Sequence, residues 1–162
     1  MNGSGSLPQD DEQLFAGLYR SLRRFASVVG PEEVDADDLV QEALVRALAL
    51  RPLGEYSEPG AYLRRTILNL ASNTRRQLGR RRRAISRVVA SDSSAEAYPS
   101  DLGDLLRLRP SERAAVYLSV VDGLSHAEVA AALGCSEAAA RNHVSRALRR
   151  LRIELNEEVQ GA

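Results

Sequence analysis

The chain has 162 residues, with 22 basic and 22 acidic side chains, a net charge of zero and a single cysteine. Its length fits one domain or two small ones. The lone cysteine excludes an intrachain disulfide, and no hydrophobic run approaches the roughly 20 residues that span a membrane. No secretory signal peptide is recognisable. A reduced, cytoplasmic location without membrane insertion is therefore expected.

The charges are segregated along the chain. Residues 1–60 carry 5 arginines and 11 acidic residues, whereas residues 61–89 carry 9 arginines and no acidic residue. Residues 90–106 hold 4 acidic residues and no arginine, and the remainder is nearly balanced. A net charge of zero usually argues against a nucleic-acid binder. Here a block of positive charge this dense supplies a local surface for phosphates.

The first half of the chain shows helical periodicity, without the alternation that marks strands. The opening residues 1–11, which begin with a Gly- and Ser-rich stretch, are expected to be disordered. An amphipathic helix is predicted over residues 12–29. It should end at Gly30-Pro31, because this pair does not continue a helix.

A second amphipathic helix is predicted to begin at a cap provided by Asp35 or Asp37 and to run to about Leu50. One face is apolar and the other is acidic and carries a glutamine. The outer face is either simply solvated or a docking surface for a basic partner helix, and the residues leave both interpretations open.

A third helix is predicted from about Gly60 to Leu78, with Pro59 in its first turn. The nine arginines of the acid-free stretch lie on its outer face and just beyond it. Such a face contacts phosphates, and Tyr56 and Tyr62 flank its start, where aromatic rings can stack on an unpaired base. A solvated basic face, or a site for an acidic protein, is the alternative.

The stretch 90–101 is acidic, rich in serine and interrupted by Pro99, which predicts a linker. After it, a short helix is predicted over residues 112–121, with Ser111 as its cap. Asp122-Gly123 should stop that helix.

The segment 123–152, GLSHAEVAAALGCSEAAARNHVSRALRRLR, predicts two short helices joined by a tight turn. Ser125 and Glu128 have the capping-box spacing, and Gly134 suits a helix end that needs a positive φ. Ser136 can cap the second helix. This layout is a helix-turn-helix, which favours double-stranded DNA as the ligand. An ordinary helical hairpin with a solvated polar face is the alternative.

The expected fold class is therefore all-α. Two small helical domains, at residues 12–89 and 102–158, should be joined by a flexible linker, with the helix-turn-helix in the second domain. The sequence has no Cys/His metal spacing, no glycine-rich phosphate loop and no recognisable catalytic constellation. We therefore expect neither enzymatic activity nor a metal or cofactor.

Three segments, taken in order, resemble the sigma-70 class of bacterial RNA polymerase sigma factors, of the small extracytoplasmic-function type. DADDLVQEALVRAL resembles the region 2.1–2.2 helix that docks on the polymerase clamp. YLRRTILNLASNTRRQLGRRRR resembles regions 2.3–2.4, which open and read the −10 promoter element. LRPSERAAVYLSVVDGLSHAEVAAALGCSEAAARNHVSRALRRLR resembles region 4, which reads the −35 element. The resemblance covers about residues 12–153.

The resemblance implies a promoter-specificity subunit whose partners are core RNA polymerase, promoter DNA and an anti-sigma factor. It implies polymerase contacts at Asp37, Asp38, Leu39, Gln41, Glu42 and Arg46. It implies −10 contacts at Tyr56, Tyr62, Arg64, Arg65, Asn69, Asn73, Arg75 and Arg76. It implies −35 contacts at Ser136, Glu137, Ala138, Arg141, Asn142, Ser145, Arg146 and Arg149.

The main alternative function is a stand-alone helix-turn-helix transcriptional regulator, whose N-terminal domain senses a signal or dimerises. A third possibility is a decoy that titrates a sigma inhibitor. Transcription by core polymerase in the presence of the chain distinguishes these functions, because only a sigma factor supports it.

Overall fold

The computed structural model describes residues 9–86 and 108–161, and this part of the chain is all-α, as predicted. Short 3₁₀ and π-helical turns cover Leu53–Glu55 and Tyr117–Val121. The predicted linker 90–101 and most of the N-terminal segment 1–11 lie outside the described residues. The helices are α1 (Gln9–Val29), α2 (Ala36–Leu50), α3 (Pro59–Ser86), α4 (Pro110–Val116), α5 (His126–Leu133) and α6 (Glu137–Gln160).

The first helix starts earlier than predicted, so residues 9–11 are helical rather than disordered. Three acidic residues in its first turn complement the helix dipole. Asp11 is 2% exposed, and its Oδ1 accepts a hydrogen bond from the Gly54 amide at 3.1 Å. This long-range contact holds the helix start in place. The helix ends before Gly30, as predicted.

The cap of α2 is Asp35, one of the two predicted candidates. Its side chain accepts a hydrogen bond from the Asp37 amide at 2.7 Å. Below the exposed face, Val40, Ala43 and Ala47 are fully buried. The binary pattern of α2 therefore places its apolar face against the core, as predicted.

The third helix runs to Ser86, well beyond the predicted end at Leu78. Its predicted apolar stripe is buried, including Leu63 and Ile67. Because arginine is a good helix former, the helix continues after the apolar stripe ends. Arg83 assists by donating from Nε to the Gly79 carbonyl at 3.2 Å.

The predicted helix over residues 112–121 is divided in the structure. Helix α4 begins at Pro110, so Ser111 lies inside it and is not its cap. The Glu112 carboxylate instead accepts a hydrogen bond from the Arg109 amide at 3.4 Å. After Val116 the chain widens into the π-helical turn, which ends where the Asp122 amide donates to the Tyr117 carbonyl at 3.2 Å.

The helix-turn-helix forms as predicted. Ser125 Oγ accepts a hydrogen bond from the Glu128 amide at 3.3 Å, and the Glu128 carboxylate accepts one from the Ser125 amide at 2.8 Å. Gly134 has φ of +68°, which L side chains adopt only with strain. Ser136 Oγ accepts a hydrogen bond from the Ala139 amide at 3.1 Å at the start of α6.

The two helical halves pack against each other, which the sequence did not indicate. A single buried cluster contains Phe25 of α1, Tyr117 and Leu118 of the π-helical turn, and Val129 of α5. The Phe25 and Tyr117 rings lie 6.2 Å apart, tilted by 47°. The helix-turn-helix is therefore docked on α1 and α3.

Candidate nucleic-acid interface

The outer surface of α6 and its cap Ser136 carry every residue predicted to contact the −35 element. Helix α6 buries Ala140, Val144 and Ala147 against α4 and α5, and the helical repeat then turns the predicted residues outward. We call this exposed set the recognition face: Ser136, Glu137, Ala138, Arg141, Asn142, Ser145, Arg146 and Arg149. Arginine and asparagine on such a face can make paired hydrogen bonds to base edges in the major groove.

A buried carboxylate orients the recognition face. Glu112 is 2% exposed, and its Oε2 lies 3.2 Å from Nη1 of Arg150, the residue that follows the last member of the face. The same oxygen caps the start of α4. Sequence reasoning missed this role, because a glutamate in a first helical turn ordinarily signals only a favourable helix dipole.

Within the recognition face, Glu137 and Arg141 form an ion pair, with Arg141 Nη2 at 3.2 Å from Glu137 Oε1. Both side chains are more than half exposed, so the pair contributes little to stability. Its effect is to hold the Arg141 guanidinium along the helix surface. A base edge that binds Arg141 must compete with Glu137.

The residues predicted for the −10 element fall into two groups. Arg65, Asn69, Asn73 and Arg76 are exposed on α3. Asn73 also accepts a hydrogen bond from Arg76 at 2.6 Å. The other four, Tyr56, Tyr62, Arg64 and Arg75, are half-buried.

Two tyrosines form an aromatic pair at the start of α3. The Tyr56 and Tyr62 rings lie 4.5 Å apart, and the Arg51 guanidinium lies 5.0 Å from the Tyr56 ring centre. Tyr56 donates its hydroxyl to the Ala47 carbonyl at 2.8 Å, which ties the loop to α2. Desolvation, followed by the neighbouring Tyr62, raises the pKa of Tyr56. The hydroxyl therefore stays protonated as a donor.

Three arginines predicted to contact the −10 element are engaged inside the structure. Arg65 donates to the Ala131 carbonyl at 2.7 Å, and Arg64 Nη2 lies 3.7 Å from Asp122 Oδ2. Arg75 donates to the carbonyl of Val29 at the end of α1. Burial lowers the pKa of Arg75. In this arrangement these three side chains do not form a free phosphate-binding face.

A further arginine, which the sequence did not single out, crosses from α4 to α1. Arg113 is 4% exposed and donates from Nη1 to the Val28 carbonyl at 3.1 Å and from Nη2 to the Leu108 carbonyl at 3.2 Å. Burial, assisted by the charge of Arg75, lowers the pKa of Arg113 to about 10. Arg113 therefore remains charged at neutral pH, and both guanidinium groups lie at the negative end of the α1 dipole.

The residues predicted to contact polymerase are divided between surface and core. Asp38, Gln41, Glu42 and Arg46 share the exposed face of α2, where Arg46 Nε lies 2.8 Å from Glu42 Oε1. Leu39 is only 5% exposed and belongs to the core, so it is not part of this surface.

Asp37 faces α1. Its carboxylate accepts hydrogen bonds from the Tyr19 hydroxyl and from Arg23 Nε, the latter at 3.2 Å. The hydrogen bond from Tyr19, and then Arg23, holds the pKa of Asp37 below its usual value. Val45, which the sequence analysis did not select, is 62% exposed amid the acidic face of α2. A valine exposed at helical spacing between polar positions is the signal that could have identified it.

Among residues 9–86 and 108–161, no helix combines the length and apolar character needed to cross a membrane.

Comparison with known proteins identifies two family models within the chain. The model "Sigma-70 region 2" matches residues 14–81, and "Sigma-70, region 4" matches residues 105–151. Together they cover more than half of the chain, in that order.

Curated relatives match over most of their length. The RNA polymerase sigma-E factor of Streptomyces avermitilis is 36% identical over 85% of this chain and 78% of its own. The RNA polymerase sigma factor CarQ of Myxococcus xanthus is 30% identical over 90% of this chain and 89% of its own. The ECF RNA polymerase sigma factor SigM of Mycobacterium tuberculosis is 30% identical over 86% of this chain and 74% of its own.

A solved structure shares the arrangement of helices. It is the sigma factor RpoE of Bartonella quintana, solved in complex with the anti-sigma factor NepR. The TM-score is 0.71 at 27% identity, covering 92% of this chain and 98% of the other.

Proposed function

The chain belongs to the sigma-70 family and is an RNA polymerase sigma factor of the extracytoplasmic-function type, and on this premise we propose how its two halves divide promoter recognition. Residues 12–89 act on the −10 element and on the polymerase clamp. Residues 102–158 act on the −35 element. The factor works in the cytoplasm and has no catalytic activity of its own.

The recognition face is the observation that carries the assignment of the second half. All eight of its residues are exposed, seven of them on α6 and Ser136 at its cap, behind a capped α5 and the Gly134 turn. In a helix-turn-helix the second helix enters the major groove with its N-terminal residues at the base edges. We therefore assign direct base contacts to Arg141, Asn142 and Ser145, and phosphate contacts to Arg146 and Arg149.

For the −10 element, the exposed side chains of α3 and the aromatic pair supply complementary chemistry. Asn69 and Asn73 offer amide groups, and Arg76 offers a charge for phosphate. Tyr56 and Tyr62 offer ring faces to a base that leaves the helical stack. Arg64, Arg65 and Arg75 would join this surface once their internal contacts are released.

For polymerase, the proposed contact is the exposed face of α2. Asp38, Gln41, Glu42 and Arg46 surround the exposed Val45, so that an apolar centre is ringed by charge. Such a combination is typical of protein interfaces, where the centre is apolar and the rim polar. Asp37 supports this face by tying α2 to α1.

An anti-sigma factor is the proposed regulator. The structural relative from Bartonella quintana was solved in complex with an anti-sigma factor and has the same helical arrangement over nearly all of this chain. Because the net charge is zero, DNA binding by the chain alone should be weak.

Transcription in vitro with core RNA polymerase on genomic fragments tests the proposal. The chain should direct initiation at a defined set of promoters, and Arg141→Ala in the recognition face should change that set. Arg152→Ala, exposed beyond the face on the same helix, is the matched control and should leave the set unchanged. Tight sequence-specific binding by the free chain, without transcription when core polymerase is added, would instead support a stand-alone regulator.

A further inference from the structure

A cleft of about 540 Å³ opens between three parts of the structure. The loop between α1 and α2 contributes residues 30–33, α4 contributes the buried Arg113, and α3 contributes positions 75, 78, 79 and 82. The four α3 positions share one face because they follow the helical repeat. Volumes of roughly 300–1,000 Å³ are typical of small-molecule sites. We call this space the arginine cleft, and the proposed function uses none of its residues except Arg75.

The loop at the mouth of the arginine cleft is held in place by main-chain hydrogen bonds. The Val34 amide donates to the Pro31 carbonyl at 3.1 Å, and the Gly30 amide donates to the Ala26 carbonyl at 2.8 Å. The backbone packs closely here, because a Cβ added to Gly30 would lie 2.7 Å from the Ala26 carbonyl oxygen. A cleft whose walls are already fixed loses little conformational freedom when a ligand binds.

Three arginines line the cleft: Arg75 and Arg82 from α3, and Arg113 from α4. Arg75 donates from Nη2 to the Val29 carbonyl, and its Nη1 is buried without a hydrogen-bond partner among the described residues. Burial, and then the charge of Arg75, lowers the pKa of Arg113, so the two cations are close enough to repel each other. An anion in the cleft would supply an acceptor and offset this repulsion.

The acidic residues of the cleft lie at its rim. Glu32 and Glu33 are exposed, whereas Arg113 is buried and Arg75 is half-buried. Glu33 forms an ion pair with Arg82, and the two side chains are 41% and 74% exposed. An ion pair this exposed contributes little, so an incoming anion can replace Glu33 as the partner of Arg82. The interior of the cleft is therefore positive, and its negative charge is screened by solvent.

We propose that the arginine cleft is a binding site for a phosphate-bearing small molecule, held by Arg75, Arg82 and Arg113. The planar fork of each guanidinium matches the oxygens of a phosphate group. Three donors that approach from two helices suit the tetrahedral oxygens of a phosphate better than the two coplanar oxygens of a carboxylate. The inference goes beyond the proposed function and does not depend on it.

Gly79 allows the cleft to be filled without removing any charge. It lines the cleft, and the nearest described atom to an added Cβ would be Arg83 Nη2, at 3.9 Å. Gly79→Leu should therefore fill part of the space, and it should not weaken α3, because leucine is a better helix former than glycine. Gly17→Leu is the matched control, since Gly17 is exposed within α1 and has nothing within 4 Å of an added Cβ.

Isothermal titration calorimetry of the free chain with inorganic pyrophosphate, at constant ionic strength, measures binding. The wild-type chain should bind saturably at a single site. Arg75→Gln and Gly79→Leu should each weaken binding by about tenfold or more, through a lost charged hydrogen bond and a steric clash respectively. Arg80→Gln, exposed on the other side of α3, and Gly17→Leu should bind as the wild type does. Circular dichroism verifies that each variant is folded.

Glu33→Gln provides a test in the opposite direction. Removing the charge of Glu33 releases Arg82 from its ion pair and leaves the arginines of the cleft unchanged. Pyrophosphate should therefore bind more tightly to this variant than to the wild type. Because both partners of the pair are exposed, the substitution should leave the fold intact.

Titration with ADP distinguishes an organic phosphate from the inorganic ion. Tighter binding of ADP than of pyrophosphate assigns the site to an organic diphosphate, and weaker binding assigns it to inorganic pyrophosphate. Both results support the cleft as a phosphate site, provided that Gly79→Leu weakens them. Citrate, a carboxylate anion of similar charge, should bind less tightly than pyrophosphate.

Four results would overturn the proposal. They are the absence of saturable binding by the wild-type chain, binding that Gly79→Leu leaves unchanged, weaker binding to folded Glu33→Gln, and citrate binding as tight as that of pyrophosphate. Displacement of pyrophosphate by a single-stranded oligonucleotide at the same ionic strength would reassign the cleft to the DNA backbone. Transcription with the wild-type chain tests the proposed function separately, so the two can fail independently.

Discussion

Arg65 Nη2 donates a hydrogen bond to the Ala131 carbonyl at 2.7 Å, although the two residues are 66 positions apart. Ala131 lies in the last turn of α5, where carbonyl groups have no partner within the helix. The guanidinium supplies that partner and places a positive charge at the negative end of the helix dipole. An arginine of the proposed −10 surface thereby completes the first helix of the helix-turn-helix.

Replacement of Gly134 should test how closely Arg65 is packed. Gly134→Ala places a Cβ 2.9 Å from Arg65 Nε, at a φ of +68°. The backbone strain alone costs about 1–2 kcal/mol, and displacement of Arg65 should add to it. We expect the loss in free energy of unfolding, measured with urea, to exceed that of Gly123→Ala.

Gly123 is a suitable control because it has the same φ of +68° and nothing within 4 Å of an added Cβ. In an Arg65→Ala background the extra loss at Gly134 should disappear. Equal losses for the two glycines in the wild-type background would contradict the packing of Arg65 against the turn.

The charge on Asp37 should make the free energy of unfolding depend on pH in the acid range. The Tyr19 hydroxyl, followed by Arg23, lowers the pKa of Asp37 in the folded chain. A lowered folded pKa means that the ionised carboxylate stabilises the fold above its unfolded pKa of about 3.9, and that this stabilisation is lost as the pH falls through the folded pKa. Asp37→Asn should therefore reduce the free energy of unfolding at pH 7.

The difference between wild type and Asp37→Asn should shrink as the pH falls below about 4. Denaturant titrations at several pH values measure it. Asp38→Asn, one residue along and exposed at the same helix terminus, loses only the interaction with the helix dipole and should show smaller effects. A pH-independent difference at position 37 would mean that the charge on Asp37 is not responsible.

Arg141 should determine which base is preferred at one position of the −35 element. A paired contact from arginine to a guanine edge is worth about 1–3 kcal/mol of discrimination against the wrong base. In holoenzyme, Arg141→Ala should lose this discrimination at a single base pair while the other −35 positions keep theirs. Transcription from a library of −35 variants measures it. A uniform loss across all sequences would reassign Arg141 to a phosphate contact.

Two substitutions at Tyr56 should distinguish its contribution to stability from its contribution to promoter opening. Tyr56→Phe removes the hydrogen bond to Ala47 but keeps the ring, so it should cost about 1 kcal/mol of stability and leave opening intact. Tyr56→Ala also removes the ring packed 4.5 Å from Tyr62 and should impair DNA melting. Permanganate reactivity of thymines near −10 measures melting. Equal melting by both variants would exclude a stacking role for this ring.

Features that depend on neighbouring residues could be predicted from the sequence. The Ser125–Glu128 cap, the Gly134 turn and the end of α1 at Gly30 each involve residues close together in the chain. The recognition face could be predicted for the same reason, because it follows from the helical repeat once the buried side of α6 is known. The extension of α3 to Ser86 could not, since its last turns lack the apolar stripe that marks a helix.

Features that depend on distant residues could not be predicted. The contacts from Arg113 to Val28 and from Arg65 to Ala131 span 85 and 66 positions. No local pattern distinguishes these arginines from Arg76 or Arg80, which are exposed. Leu39 was assigned to the polymerase surface by resemblance of its segment, whereas its position in the helical repeat turns it into the core. Among the −10 residues, Arg64 contacts the other half at Asp122, whereas Arg75 donates to Val29 of its own half, 46 positions away.

Two arginine contacts between the halves of the chain, those of Arg113 and Arg65, end on the main-chain carbonyls of Val28 and Ala131. A carbonyl is present whatever side chain the residue carries, so substitution at either accepting position cannot delete the acceptor. Only the arginine side of each contact can be lost by a single point mutation. Variants that weaken the contact between the halves should consequently concentrate at the donors, and a mutational scan of the accepting helix ends would detect changes in packing but no change of hydrogen-bonding partner.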